Sequence, residues 1–197
     1  PSNPVGGLRY INNEFEKGQN YLQDLGVDYF ISYTDSITQK ALENKQLNYL
    51  FSSDPFTVFQ INSEKVELVN QRLIKFEKIS FLERTLSSIF RNTTYENFFD
   101  VSYENFNNLD TERIIEVSAT DSIEPSSTQE FANVTNLIIK SDRISFNTDM
   151  PNKLHIIKIS YFPNWEIVDG AGPYKISPSF MALTPYTENV ELNFVRS

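Results

Sequence analysis

Residues 153–194, KLHIIKISYFPNWEIVDGAGPYKISPSFMALTPYTENVELNF, decide how the fold is read. Apolar and polar residues alternate there with period two, the pattern of strands that bury one face. Leu154, Ile156, Ile159 and Phe162 mark a first strand, with an irregularity between Ile157 and Ile159. Pro163-Asn164 interrupts it, and Trp165, Ile167 and Val168 carry on beyond. Asp169-Gly170-Ala171-Gly172-Pro173 predicts a turn, since glycine accepts positive φ and proline fixes its own. Residues 174–176, a Ser177-Pro178 break, residues 180–183, a turn at Pro185 and residues 190–195 complete the series. The expectation is an antiparallel meander that carries the single tryptophan.

Upstream, residues 137–140 and 143–147 lead into this meander, and 114–119 predict another strand. Between them DSIEPSSTQE (121–130) is polar with a central proline, the composition of a linker. About seven short strands with turn signals between them favour an antiparallel sandwich. The first half adds helices. Asn13 with Glu16 is a capping pair; Phe15, Leu22 and Leu25 lie on one face, and Gly26 suits the C-terminal cap. VDYFISY (27–33) predicts a strand buried on at least one face. Asp35 or Ser36 caps a short helix carrying Ile37 and Ala41. Residues 48–51 and 56–61 predict two strands on either side of Ser52-Ser53-Asp54-Pro55. Residues 67–76 fit strand or helix. Ser80 to Glu83 is a capping box opening a helix with Leu82, Leu86, Ile89 and Phe90 on its apolar stripe. The echo of Tyr95-Glu96-Asn97-Phe98 in Tyr103-Glu104-Asn105-Phe106 has too short a period for a repeat architecture. The fold class expected is therefore α+β. Residues 1–120 form a mixed α/β region and 121–132 a linker or loop. Residues 133–197 form a jelly-roll-like antiparallel β-sandwich, which strands from the first half can complete.

At 197 residues, 40% hydrophobic and 14% aromatic, the chain holds enough apolar surface for a substantial core. A net charge of −9 without a basic block argues against nucleic acid and against anionic lipid. There is no cysteine, so disulfides and thiolate metal sites are excluded. No run of eighteen apolar residues occurs, so no transmembrane helix is expected. The chain opens Pro1-Ser2-Asn3-Pro4 without Met or signal peptide, and a piece of a longer protein is expected.

The chemistry-bearing residues are sparse. One histidine, His155, cannot supply the three protein ligands of a catalytic zinc. In LHIIKIS it reads as a structural or edge-strand residue. No nucleophile elbow accompanies it. Carboxylates are plentiful (Asp24, Asp28, Glu83, Asp100, Asp110, Glu112, Glu116, Asp149, Asp169), but a glycosidase needs two that face each other across a sugar. Gly170 and Gly172 lack the following helix of a phosphate loop. Neither catalytic residues nor a metal or cofactor site are assigned. Asn92-Thr93-Thr94 and Asn133-Val134-Thr135 match glycosylation acceptors, a match that an asparagine-rich chain produces by chance. The feature with functional reach is aromatic: Tyr161, Phe162, Trp165 and Tyr174. Sugar C–H faces stack on such rings, so Tyr161, Trp165 and Tyr174 are the candidate carbohydrate contacts. Tyr161 and Phe162 point to opposite faces, so one of them should be exposed. The competing reading of Trp165 is core, where large aromatics dominate burial.

The series ISYFPNW, GAGPY, SPSFM and TPYTENVELNF resembles the C-terminal extracytoplasmic domain of large polytopic membrane proteins, the 6-pyruvoyl-tetrahydropterin synthase-related family. These are similar to multi-span glycosyltransferases that use lipid-linked sugars. EFEKGQNYLQDLGVDYFISYT (14–34) resembles a helix and strand that such proteins place earlier in the same region. The resemblance covers about a third of the chain, at its two ends, and does not extend through residues 45–133. It implies a domain on the extracytoplasmic face of a bacterial membrane, joined to transmembrane spans of the same chain. Its task would be to position a glycan acceptor or lipid-linked sugar, with the catalytic carboxylate in a loop near the spans. The pterin chemistry in the family's name is not expected, for want of histidines. The alternative is a stand-alone carbohydrate-binding or protein-interaction module; a soluble enzyme using a carboxylate pair comes last.

Overall fold

The computed structural model describes residues 15–77, 111–118, 123 and 131–196. Strand dominates, with two short helices among the described residues. The chain divides into two compact units, Pro1–Lys65 and Val66–Ser197. This boundary differs from the linker read at 121–132. Ile123, the one described residue within the polar 121–130, is buried, 4% exposed.

The first unit contains α1 (Phe15–Asp24), β1 (Tyr29–Ser32), α2 (Asp35–Glu43), β2 (Leu47–Ser53) and β3 (Phe56–Ile61). Gly26 ends α1 as read, at φ 66°. Val27 N–H donates to the Leu22 carbonyl and Gly26 N–H to that of Gln23, the six-to-one closure that satisfies the last orphan carbonyls. At α2 the N-cap is Thr34 rather than Asp35 or Ser36, and its side chain makes no capping bond. Asp35 falls in the first turn instead, where its charge suits the helix dipole. The three strands form one antiparallel sheet, order β1-β3-β2. Its core is Ala41, Leu47, Phe59 and Ile61, with Phe15, Leu22, Val27 and Phe30 packed against them. Both helices therefore cover the same face of the sheet.

The second unit contains β4 (Val66–Leu68), β5 (Arg72–Glu77), β6 (Glu112–Val117), β7 (Val134–Ile139), β8 (Arg143–Thr148), β9 (His155–Ser160), β10 (Trp165–Ile167), β11 (Gly170–Ile176), β12 (Phe180–Pro185) and β13 (Asn189–Phe194). They form a four-stranded sheet, order β10-β13-β8-β7, and a six-stranded sheet, order β4-β9-β12-β11-β6-β5. One apolar cluster draws on both: Val66, Ile157, Met181 and Leu183 from the larger, Ile144, Phe146, Trp165, Val190 and Leu192 from the smaller.

Three expectations are corrected here. The closing strands are not a meander: β9, β11 and β12 belong to one sheet, β10 and β13 to the other. The Pro163-Asn164 interruption is where the chain leaves the first sheet for the second, so a break in pattern became a change of layer. Second, the sheets are not wholly antiparallel, because β5 and β6 pair in parallel from Arg72↔Glu112 to Glu77↔Val117. Third, Gly170 to Pro173 is strand, not turn. β11 starts at Gly170, and its register shifts between Ala171 and Tyr174. Residues 67–76, ambiguous in sequence, are two strands, β4 and most of β5. The irregularity read between Ile157 and Ile159 is present: Met181 pairs with Ile157 but Phe180 with Ser160, so the register shifts across Lys158 and Ile159. The capping residue Asn13, the helix read from Ser80, the Tyr95–Tyr103 echo and the acceptor Asn92 lie outside the described residues.

Gly170 is required by close approach. A Cβ there would lie 2.6 Å from the Thr184 carbonyl oxygen of the paired strand and 2.5 Å from Ile167 Cδ1. Gly170→Ala must push β11 from β12, and strain of this kind costs about 1–3 kcal/mol. A fall of that size in urea-unfolding free energy is expected; a neutral result would mean the strands separate freely at this end.

Candidate functional site

The three-stranded sheet of the first unit buries one face beneath its helices and leaves the other open. Residues paired across a sheet share a face, and residues two apart along a strand return to it. The pairings Tyr29↔Gln60 and Asn48↔Gln60 place one row, Tyr29, Gln60 and Asn48, on the open face. The next row is Ile31, Val58 and Phe51, and Phe56 with Ser53 follows. Tyr29 is 59% exposed, Ile31 61%, Phe51 55% and Phe56 50%. Tyr33, the residue after β1, is exposed as well. None of the eight face residues carries a charge. On β1 and β3 the opposite parity is core, where Phe30 meets Phe15 edge-on at 5.9 Å and Phe59 at 6.1 Å; on β2 only Leu47 is buried, and Tyr49 beside Phe59 is 53% exposed.

Sequence reading missed this face. VDYFISY has large side chains at both parities, so periodicity does not say which half is covered. Charge does not mark it either, because none of the three strands carries a charged residue at either parity.

The aromatic residues singled out from sequence lie in the second unit. Trp165 is 7% exposed inside the apolar cluster, with the Phe194 ring edge-on at 5.3 Å. A ring so enclosed offers no face to a sugar, and its reading as a contact is corrected to core. Tyr161 is half-buried against the same cluster. Burial pushes its phenol pKa up, and the Glu116 charge adds to this. Tyr174, half-buried on β11, is not in that cluster. Of the opposed pair Tyr161 and Phe162, Phe162 is the exposed one. Structure thus brings Tyr161 and Trp165 together around a core that does not include Tyr174.

His155 is fully buried on β9, a strand flanked by β4 and β12 rather than an edge. A carbonyl can only accept, so Nδ1–H donates to the Lys153 oxygen at 2.8 Å. Nε2 is then the acceptor for the Thr148 hydroxyl at 2.8 Å, and Thr148 Oγ1 in turn accepts from Met150 N–H. Both ring nitrogens are used structurally, tying the larger sheet to β8 of the smaller. Burial holds the His155 pKa below its usual 6.5, while the Lys153 bond and the Asp149 charge oppose the shift. The unfolded chain therefore binds the proton more readily. Stability should fall as pH drops below about 6.5, by at most about 1.4 kcal/mol per pH unit for one proton. Urea midpoints in wild type and His155→Gln between pH values of about 7.5 and 5.5 test this. The variant should lose that part of the slope, and identical profiles would refute it.

The carboxylates are dispersed in structural roles. Asp28 pairs with Lys65 at 2.8 Å and Glu112 with Arg72 at 3.2 Å, while Asp149 accepts the Asn133 amide. Glu83, Asp100 and Asp110 lie outside the described residues. Among the described residues no three His, Cys, Asp or Glu side chains gather as a metal site, and no helix is long and apolar enough to cross a membrane. Arg113, buried on β6, donates to the Ser177 carbonyl at 3.1 Å. Comparison with protein-family models, with curated proteins and with solved structures finds no match.

Proposed function

We propose that this chain is a non-catalytic binding domain on the extracytoplasmic face of a bacterial membrane. In this reading it belongs to a multi-span glycosyltransferase-like protein and positions a glycan acceptor or lipid-linked sugar. The observation that carries the binding role is the open, uncharged, ring-bearing face of the β1-β3-β2 sheet. Exposed apolar patches of this kind mark interaction sites. The membrane setting rests on the resemblance of residues 14–34 and of the ISYFPNW to TPYTENVELNF series. Tyr161 and Tyr174 stay as secondary contacts in this reading, each half-exposed; Trp165 does not. The second unit is read as a β-sandwich of jelly-roll type, supported by one cluster drawing on both sheets and by a chain that changes sheet between β9 and β11.

The test is the complete reading frame, expressed and fractionated. Several apolar spans of about twenty residues, retention in membranes after alkaline extraction and protease access to this domain from outside are expected. A frame without spans and a freely soluble product would overturn the membrane reading and leave the stand-alone carbohydrate-binding or interaction module. That alternative is favoured by the same face, which needs no membrane to bind.

A further inference from the structure

We infer that the open face of the β1-β3-β2 sheet is a binding platform for a neutral saccharide chain, an inference that deepens the glycan reading above and rests on it. Its side chains are of three kinds in adjacent rows. Tyr29, Gln60 and Asn48 supply a hydroxyl and two amides; Ile31 and Phe51 form an apolar strip; Phe56 adds a second ring. All six are exposed.

The charge pattern selects the occupant. This chain carries 26 acids and 17 lysines and arginines, yet none of the described ones falls on this face. Among the described residues, an anionic sugar, a phosphate or an anionic lipid surface would find no cation there to pair with. A solvated face without a ligand normally carries charge, which also protects an open sheet from association. A second copy of the chain, stacked face to face, would bury the Gln60 amide against apolar side chains, and an unpaired buried amide costs free energy. A saccharide removes that conflict. Its hydroxyls satisfy Gln60 and reach the Asn48 oxygen, the Asn48 amide N–H already donating to Asn62 Oδ1 at 3.4 Å, while its C–H faces cover Phe51 and Phe56. Three strands spaced about 4.8 Å apart make a row about 10 Å wide, room for a disaccharide laid across the strands.

The test is a nitrogen-15 NMR titration of the whole chain with oligomers of glucose and of N-acetylglucosamine, beside an oligouronate of the same length. Saturable shifts confined to residues 29–33, 48–53 and 56–60 with a neutral oligomer, and none with the oligouronate, are expected. Phe51→Ala and Gln60→Ala, both at exposed positions and checked for an unchanged spectrum elsewhere, should each weaken binding about tenfold, a difference of about 1.4 kcal/mol. No shift with either neutral oligomer up to about 10 mM, or shifts that persist in Phe51→Ala, would overturn the assignment. So would shifts of the same residues that grow with protein concentration alone, which would give the face to a second copy. Sugar-dependent shifts around Tyr161 or Tyr174 instead would overturn this platform and leave the glycan reading standing. The presence of flanking membrane spans is decided independently of every arm of the titration.

Discussion

Trp165→Ala should lower the unfolding free energy by about 3–5 kcal/mol, the range for removing a large aromatic from a packed core. The side chain is enclosed by a cluster that draws on both sheets of the second unit, and it lies edge-on to Phe194. It also begins β10, a three-residue strand whose first pair is Trp165↔Phe194. Losing the ring opens a void and removes the main reason for that short edge strand to stay on β13. Trp165→Phe keeps part of the volume and should cost clearly less. Urea unfolding by circular dichroism measures both. A loss below about 1 kcal/mol for the alanine variant would return this ring to the list of surface contacts. Saccharide binding at the open sheet of the first unit should survive in whatever fraction of Trp165→Phe is folded.

The second large effect is an asymmetry between two partners. Lys158 lies in the irregular part of β9 with its side chain 4% exposed, and its ammonium meets Glu67 of β4 at 3.0 Å. Glu67 pairs with Ile156, so Lys158, two residues on, is its diagonal neighbour on the same face. Glu67 itself is 27% exposed. Glu67→Ala takes one counter-charge from a buried cation that has a further interaction, and should cost about 1–3 kcal/mol, under the figure for a cation left unpaired. Lys158→Met leaves a carboxylate that water reaches, and should cost less than half as much. The double variant Lys158→Met, Glu67→Leu should recover most of the stability lost in Glu67→Ala. Equal losses in the two single variants would refute the asymmetry and show the pair acting as a surface bridge.

Much of the local structure was legible from single residues. Gly26 closed α1 because only a residue tolerant of positive φ fits that cap. Alternation at 153–162 located β9, and its lapse near Lys158 located the register shift. The His155 reading as structural agrees with a ring that uses both nitrogens in buried bonds. The candidate site was not legible in the same way. Tyr161, Trp165 and Tyr174 attract attention by type, but type does not tell a core ring from an exposed one. Tyr29, Phe51 and Phe56 look unremarkable until the strands are paired.

By itself the sequence determined where most segments extend and stop, the start of β11 at Gly170 and the strand character of 67–76 apart. Those choices follow from side-chain period, glycine and proline, which act within a few residues. Tertiary structure alone decided which strands are neighbours, that β5 and β6 run parallel, and that the chain changes sheet at Pro163-Asn164. Those depend on pairings between distant residues that no local pattern encodes. It also decided which half of each alternating strand faces a helix and which stays open, because a period of two offers both faces and only a covering layer chooses between them.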